Sequence, residues 1–150
     1  MRGERALEIG TGSGFFAACL AHLTGSVDSI EIHADLAAGA ARAIGEQGIS
    51  RISDRDQAMP FAREFDAAYE VVAITGALPA PEPRFERALV VGGRMFVVIG
   101  TAPVMEARLV TRTGEDSWLS ETLFETRIRA ARSAGRPFPF PVLNRARKAF

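Results

Sequence analysis

With 150 residues, 47% of them apolar, the chain has material for one domain with one core and little left for a second. No apolar run approaches the roughly 20 residues of a membrane-spanning helix, and Met1-Arg2-Gly3-Glu4-Arg5 leads directly into a strand-like segment, not a secretion signal, so a soluble cytoplasmic protein is expected. The formal charge is zero, and Cys19 is the only cysteine, which excludes an internal disulfide and a cysteine-cluster metal site.

In chain order, Ala6-Leu7-Glu8-Ile9 reads as a short apolar strand. A loop, Gly10-Thr11-Gly12-Ser13-Gly14, hands it to Phe15 through Leu23, whose apolar spacing is helical and which Gly25 ends. Ser26 to Ile32 reads as a second strand, and an Ala-rich helix follows from about Asp35, its expected cap, to Gln47, closing at Gly48. A short strand is expected at Ile49 to Ser53. Val71-Val72-Ala73-Ile74 is a strong strand ending at Thr75-Gly76, Arg84 to Val90 a short helix, and Gly92-Gly93 a turn into the strand Arg94 to Ile99. Near-continuous apolar strands imply a sheet covered on both faces.

Beyond Gly100 the alternation stops. Met105 to Thr113 and Trp118 to Thr126 read as two strands joined through Gly114-Glu115-Asp116, a hairpin at the sheet edge. The expected fold is therefore α/β, an open doubly wound, Rossmann-like sheet with a C-terminal antiparallel hairpin at its edge. After Glu125 every charged residue is Arg or Lys, and Pro and Phe alternate from Arg136 to Pro141. Residues 127–150 are expected to form an extended basic tail on a domain spanning 1–126. Exposed charge runs are usually only solvated, so nucleic acid is not the expected partner.

Ligands of such sheets bind beyond the carboxyl ends of the strands, and the glycine loop sits at the first of these ends. Small residues there let a backbone approach a nucleotide-like ligand, and the following helix offers unpaired N–H groups. A dinucleotide fingerprint would place its third glycine at position 15, where this chain has Phe15, which argues against nicotinamide cofactors. Glu31, ending the second strand, is placed to accept hydrogen bonds from ribose hydroxyls. Asp54, after the third strand, could meet an adenine amino group, and Thr75 faces the same crevice. His22 and His33 carry no motif.

Four segments together, Leu7-Glu8-Ile9-Gly10-Thr11-Gly12-Ser13-Gly14-Phe15, Ser29-Ile30-Glu31-Ile32, Ala73-Ile74-Thr75-Gly76-Ala77-Leu78-Pro79 and Val91-Gly92-Gly93-Arg94, resemble the protein-L-isoaspartate O-methyltransferase family. The resemblance extends from about Gly3 to Glu125 and implies a class I methyltransferase fold with S-adenosyl-L-methionine as cofactor. It implies cofactor-binding roles for Glu8, Gly10, Thr11, Gly12, Ser13, Gly14, Glu31, Ile32, Asp54 and Thr75: Glu8 to Gly14 around the methionine part, Glu31 at the ribose, Asp54 at the adenine. The methyl acceptor it implies is the carboxylate of L-isoaspartyl residues in damaged peptides and proteins. Such an acceptor is ionised at neutral pH, so no Ser-His-Asp set is needed and no catalytic residue is assigned.

The sequence departs from the family's pattern in three places. The family normally carries, ahead of the glycine loop, a segment with a Ser-containing motif that helps hold the substrate, whereas this chain opens almost at the loop. The usual Gly-Asp-Gly is Ser53-Asp54-Arg55, and the basic tail is foreign to it. The second reading is accordingly a catalytically inactive cofactor-binding fragment or interaction domain.

Overall fold

The apolar segments become the strands of one seven-stranded sheet in the computed structural model, which describes residues 3–55, 66–133 and 136–137. In chain order these are β1 (Arg5–Ile9), α1 (Phe15–Leu23), β2 (Ser26–Ile30), α2 (Ala34–Glu46), β3 (Ile52–Arg55), β4 (Tyr69–Leu78), α3 (Pro83–Ala88), β5 (Leu89–Thr101), β6 (Val104–Gly114) and β7 (Ser117–Thr126). Across the sheet the order is β3-β2-β1-β4-β5-β6-β7. The strands from β3 to β5 are parallel, and β6 and β7 are antiparallel additions. The chain winds outward from β1 to β3 and then returns to β1's other side as β4. The order thus reverses beside β1, and in open sheets of this kind the ligand crevice lies there, at the carboxyl ends.

The period-2 alternation of β1 and β4 divides the core between two faces. On one face Leu7, Ile74, Leu89 and Val97 pack with Phe85 and Ala88 of α3. On the other, Ala6, Val27 and Ala73 meet Leu20 and Ala21 of α1. Ala17, Leu20 and Ala21, all buried, fall at helical spacing, which is why this short segment is a helix with one face inward. Each large side chain fully removed from water on these faces contributes about 1.5–3 kcal/mol. At the start of the sheet Glu4 grips Arg94 of β5 through two hydrogen bonds of 2.8 and 3.1 Å, and that contact holds the Glu4 carboxyl below its usual range.

Several boundaries differ from the sequence expectation. His33, not Asp35, is the N-cap of α2, and Asp35 sits in the first turn, where its charge faces the positive end of the helix dipole. Ile49 still donates its N–H to Ile44 at 3.3 Å as the helix unwinds, so β3 begins only at Ile52 and includes Asp54, where the sequence suggests a following loop. β4 does not stop at Thr75-Gly76. It continues to Leu78, absorbing the irregularity as a shift of register against β5 between Ala73 and Ala77. Gly92-Gly93 is likewise a kink inside β5 rather than a turn ahead of it.

The hairpin at the edge is present as β6 and β7. Beyond it, Ala77 donates to the Arg129 carbonyl and Ala131 to the Ala77 carbonyl, each at 2.8 Å, which lays this stretch alongside β4. Gly76 permits the approach, because a Cβ there would lie 2.8 Å from the Ala131 backbone. Two short strands, β8 (Arg132–Ser133) and β9 (Arg136–Pro137), then pair antiparallel. The rest of the segment read as a basic tail lies outside the described residues.

Candidate cofactor site

The crevice beside β1 is built on the glycine loop. Gly10 donates its N–H to the Ile30 carbonyl at 2.8 Å, so the loop starts as a continuation of the β1–β2 pairing, and Gly14 closes it by donating to Thr11 at 2.9 Å. Gly10 has φ 98°, and a Cβ there would fall 2.5 Å from Thr75 Oγ1. That hydroxyl occupies the space a side chain would need, donating to the carbonyls of Ile9 at 3.0 Å and Gly10 at 2.6 Å. Gly12, with φ 55°, has none of the described residues within 4 Å of its would-be Cβ. A bare, left-handed backbone facing open space is what close approach of a ligand requires. Gly14, the N-cap of α1, packs instead against Ala40 and Ile44 of α2.

Glu31 joins the loop to β2. Its Oε2 accepts from the Gly12 N–H at 2.8 Å and its Oε1 from the His33 N–H at 3.0 Å, with the residue 5% exposed. Each carboxylate oxygen can accept a second hydrogen bond, so both retain capacity for hydroxyl donors. Ser13 is exposed at the loop tip, and Ile32 is half-buried directly after Glu31.

Glu8 lies beneath the loop with no exposed surface. Its Oε2 accepts from Ser29 Oγ at 2.5 Å, Ser29 Oγ lies 2.5 Å from Thr11 Oγ1, and its Oε1 is without a partner among the described residues. Burial, reinforced by the negative charge of Glu31 and opposed by the Ser29 hydrogen bond, pushes the Glu8 carboxyl up to about 7. Asp54 sits in β3 in register with Ser29; its side chain lies outside the described part.

The structure thus brings Glu8, Gly10, Thr11, Gly12, Ser13, Gly14, Glu31, Ile32 and Thr75 together at the glycine loop and the adjoining segments of β1, β2 and β4. It adds Ser29, to which the sequence reading gave no role, although a serine in the buried run Val27-Asp28-Ser29-Ile30 is itself a signal that a polar partner is near. A separate cavity of about 90 Å³, lined by Leu78, Met95, Val97 and Val110, is too small for a nucleoside. Among the described residues no cluster of His, Cys, Asp and Glu could hold a metal, and no helix is long and apolar enough to cross a membrane.

Five parallel strands in the order β3-β2-β1-β4-β5, extended by two antiparallel ones and carrying a glycine loop at the end of β1, define the class I methyltransferase fold. Two solved structures share it: a beta-aspartate methyltransferase from Plasmodium falciparum in complex with S-adenosyl-L-homocysteine (TM-score 0.74, 15% identity, 87% of this chain and 66% of that one) and a protein-L-isoaspartate O-methyltransferase (TM-score 0.74, 24% identity, 89% and 43%). The family model described as protein-L-isoaspartate(D-aspartate) O-methyltransferase matches residues 1–129, and the chain belongs to that family. Among curated relatives, protein-L-isoaspartate O-methyltransferase 2 of Pelobacter propionicus is 34% identical over 126 residues, 83% of this chain and 56% of the relative. The protein-L-isoaspartate O-methyltransferase of Anaeromyxobacter dehalogenans is 37% identical over 115 residues, 76% of this chain and 55% of the relative. The chain spans about half the length of the curated relatives it matches.

Proposed function

We propose that this chain binds S-adenosyl-L-methionine in the β1–β2 crevice and serves methyl transfer to the carboxylate of L-isoaspartyl residues in damaged peptides and proteins. The observation that carries the reading is the convergence of a side-chain-free loop at Gly12 on the two-oxygen acceptor Glu31 at adjacent strand ends. The residues present fit that cofactor. The loop from Gly10 to Gly14 would hold its methionine part, Glu31 keeps acceptor capacity for ribose hydroxyls, and Glu8, with one buried oxygen that has no partner among the described residues, would supply a negative charge to its cationic groups. Ser13 and Ile32 would border it, Asp54 would meet the adenine from β3, and Thr75 fixes the loop from below. S-adenosyl-L-methionine supplies an electrophilic methyl group on a sulfonium.

The acceptor carboxylate is already ionised at neutral pH, so the chain's own task is to orient and to exclude water, and no general base is required. A cytoplasmic setting belongs to the same proposal, in keeping with a free thiol at Cys19.

Calorimetric titration with S-adenosyl-L-homocysteine, followed by a methyl-transfer assay on an isoaspartyl peptide with the same sample, tests the reading. Binding with turnover is expected. Absence of binding heat at several temperatures would sink it, and binding without turnover would place substrate-holding groups outside these 150 residues.

A further inference from the structure

Ser29 is the middle of a buried hydrogen-bonded chain that runs from the acid under the loop to the loop itself. It is 1% exposed and lies 2.5 Å from both Glu8 Oε2 and Thr11 Oγ1. A serine hydroxyl has one proton to give. While Glu8 is ionised that proton goes to Oε2, so the Thr11 hydroxyl must donate to Ser29. When Glu8 takes up a proton on Oε2 the order reverses. The carboxyl O–H donates to Ser29, Ser29 donates to Thr11, and the Thr11 proton turns out of the chain. No proton leaves the three groups except the one Glu8 exchanges. An acid without exposed surface thereby sets the orientation of a hydroxyl in the cofactor loop.

The surroundings of Glu8 make this exchange its own. On β2, Ser29 is in register with it, and Glu31, directly after that strand, is the charged group acting on it. On β4 its register partner is Ala73, with exposed Thr75 two residues on. The buried residues of α1 are Ala17, Leu20 and Ala21, none of which titrates. Asp54 follows Ser29 in register on β3, and Asp28 belongs to the opposite face, where it accepts from Tyr69.

We propose that Ser29 is a positioning residue that couples the protonation of Glu8 to Thr11 of the glycine loop, so that cofactor affinity follows the ionisation of Glu8. The proposal rests on the reading of the loop as an S-adenosyl-L-methionine site. The ionised form is the binding form, because a negative charge beneath the loop attracts the cofactor's ammonium group and an ionised Glu8 keeps Thr11 turned inward.

The test is calorimetric titration of the full chain with S-adenosyl-L-homocysteine from about pH 5.5 to about 9, in buffers of different ionisation heat, for the unmodified chain, Ser29→Ala, Ser29→Thr and Glu8→Gln. The unmodified chain is expected to bind more tightly as pH rises through about 7, by on the order of tenfold, with proton release on binding in the same range. Ser29→Ala should move the midpoint upward, since the hydrogen bond that holds the Glu8 carboxyl down is lost, and Ser29→Thr should return it. Glu8→Gln should flatten the profile.

A flat profile in the unmodified chain overturns the coupling. So does a Ser29→Ala profile weakened equally at every pH with its midpoint unmoved, which is the signature of a packing role alone. If Ser29→Ala does not fold, Glu8→Gln decides, because a step retained there removes Glu8 as its source. Absence of binding at every pH is a different failure, that of the cofactor reading itself.

Discussion

Two buried carboxylates on neighbouring strands receive opposite treatment. Asp28, on the α3 face of β2, accepts from the Tyr69 hydroxyl at 2.7 Å and from the Arg5 guanidinium at 2.9 Å, and that guanidinium also lies 4.9 Å from the centre of the Tyr69 ring. Glu8, on the α1 face of β1, has among the described residues one donor, a like charge nearby and an oxygen with no partner. Asp28 is an acid that folding has satisfied. Glu8 is one that folding tolerates, and it sits at the strand ends where a ligand would come to lie. Partly unsatisfied buried polar groups cost stability, and they persist where binding or chemistry uses them.

The largest expected effect breaks this comparison directly. The folded Glu8 carboxyl titrates near 7 and the unfolded one near 4.5, so between those values the native state holds a proton that the unfolded chain has lost. Stability from this group therefore falls as pH rises from about 4.5 to about 7 and stays low above it. Glu8→Gln, neutral at every pH, should raise stability by on the order of 3 kcal/mol at pH 8 and by only about 1 kcal/mol at pH 5. Urea unfolding at the two values checks this, and equal shifts at both would show that Glu8 carries no titration-linked cost.

On the binding side of the same crevice, Glu31→Ala removes the acceptor of the Gly12 N–H and should weaken S-adenosyl-L-homocysteine binding by roughly 1.5–3 kcal/mol, measured by calorimetry. An unchanged affinity would remove Glu31 from the ribose.

The counterpart of the Glu8 substitution on the satisfied acid is Asp28→Ala. It removes the 2.7 Å acceptor of the Tyr69 hydroxyl, whose residue has no exposed surface, and releases Arg5, which is itself nearly half exposed. A loss of about 2 kcal/mol is expected by urea unfolding, from the buried hydrogen bond of Tyr69 to a charged acceptor. Because the Asp28 cluster is on the face away from the loop, cofactor affinity should be unchanged, and a matching loss of binding would merge two regions that the structure keeps apart.

The fold was legible because it rests on patterns with a fixed period. Alternating and continuous apolar runs announced β1, β2, β4 and β5, and turn residues announced the β6–β7 hairpin. The loop and Glu31 were legible because glycine spacing and a strand-end acid are local signals. Ser29 was not, since its meaning comes from the register Glu8↔Ser29, a relation between two strands that no window along the chain displays. The true length of β4 was hidden for a similar reason. Thr75-Gly76 has the composition of a strand end, yet the strand continues because Ala77 finds hydrogen-bond partners in Arg129 and Ala131, which are far along the chain.

The smallest effect separates loop support from ligand contact at Thr75. Its hydroxyl has one proton shared between two carbonyls, those of Ile9 and Gly10, and the residue is exposed. Thr75→Val keeps the β-branched shape and removes that proton, leaving carbonyls that water can reach, so a stability loss of about 0.5–1.5 kcal/mol is expected by thermal unfolding. Thr75 Oγ1 also fills the place of a Gly10 side chain, and the isosteric valine methyl fills it equally. The loop should therefore keep its path, and affinity should change by less than stability does. If binding falls by much more, Thr75 touches the cofactor itself, and the crevice extends from β1 and β2 onto β4.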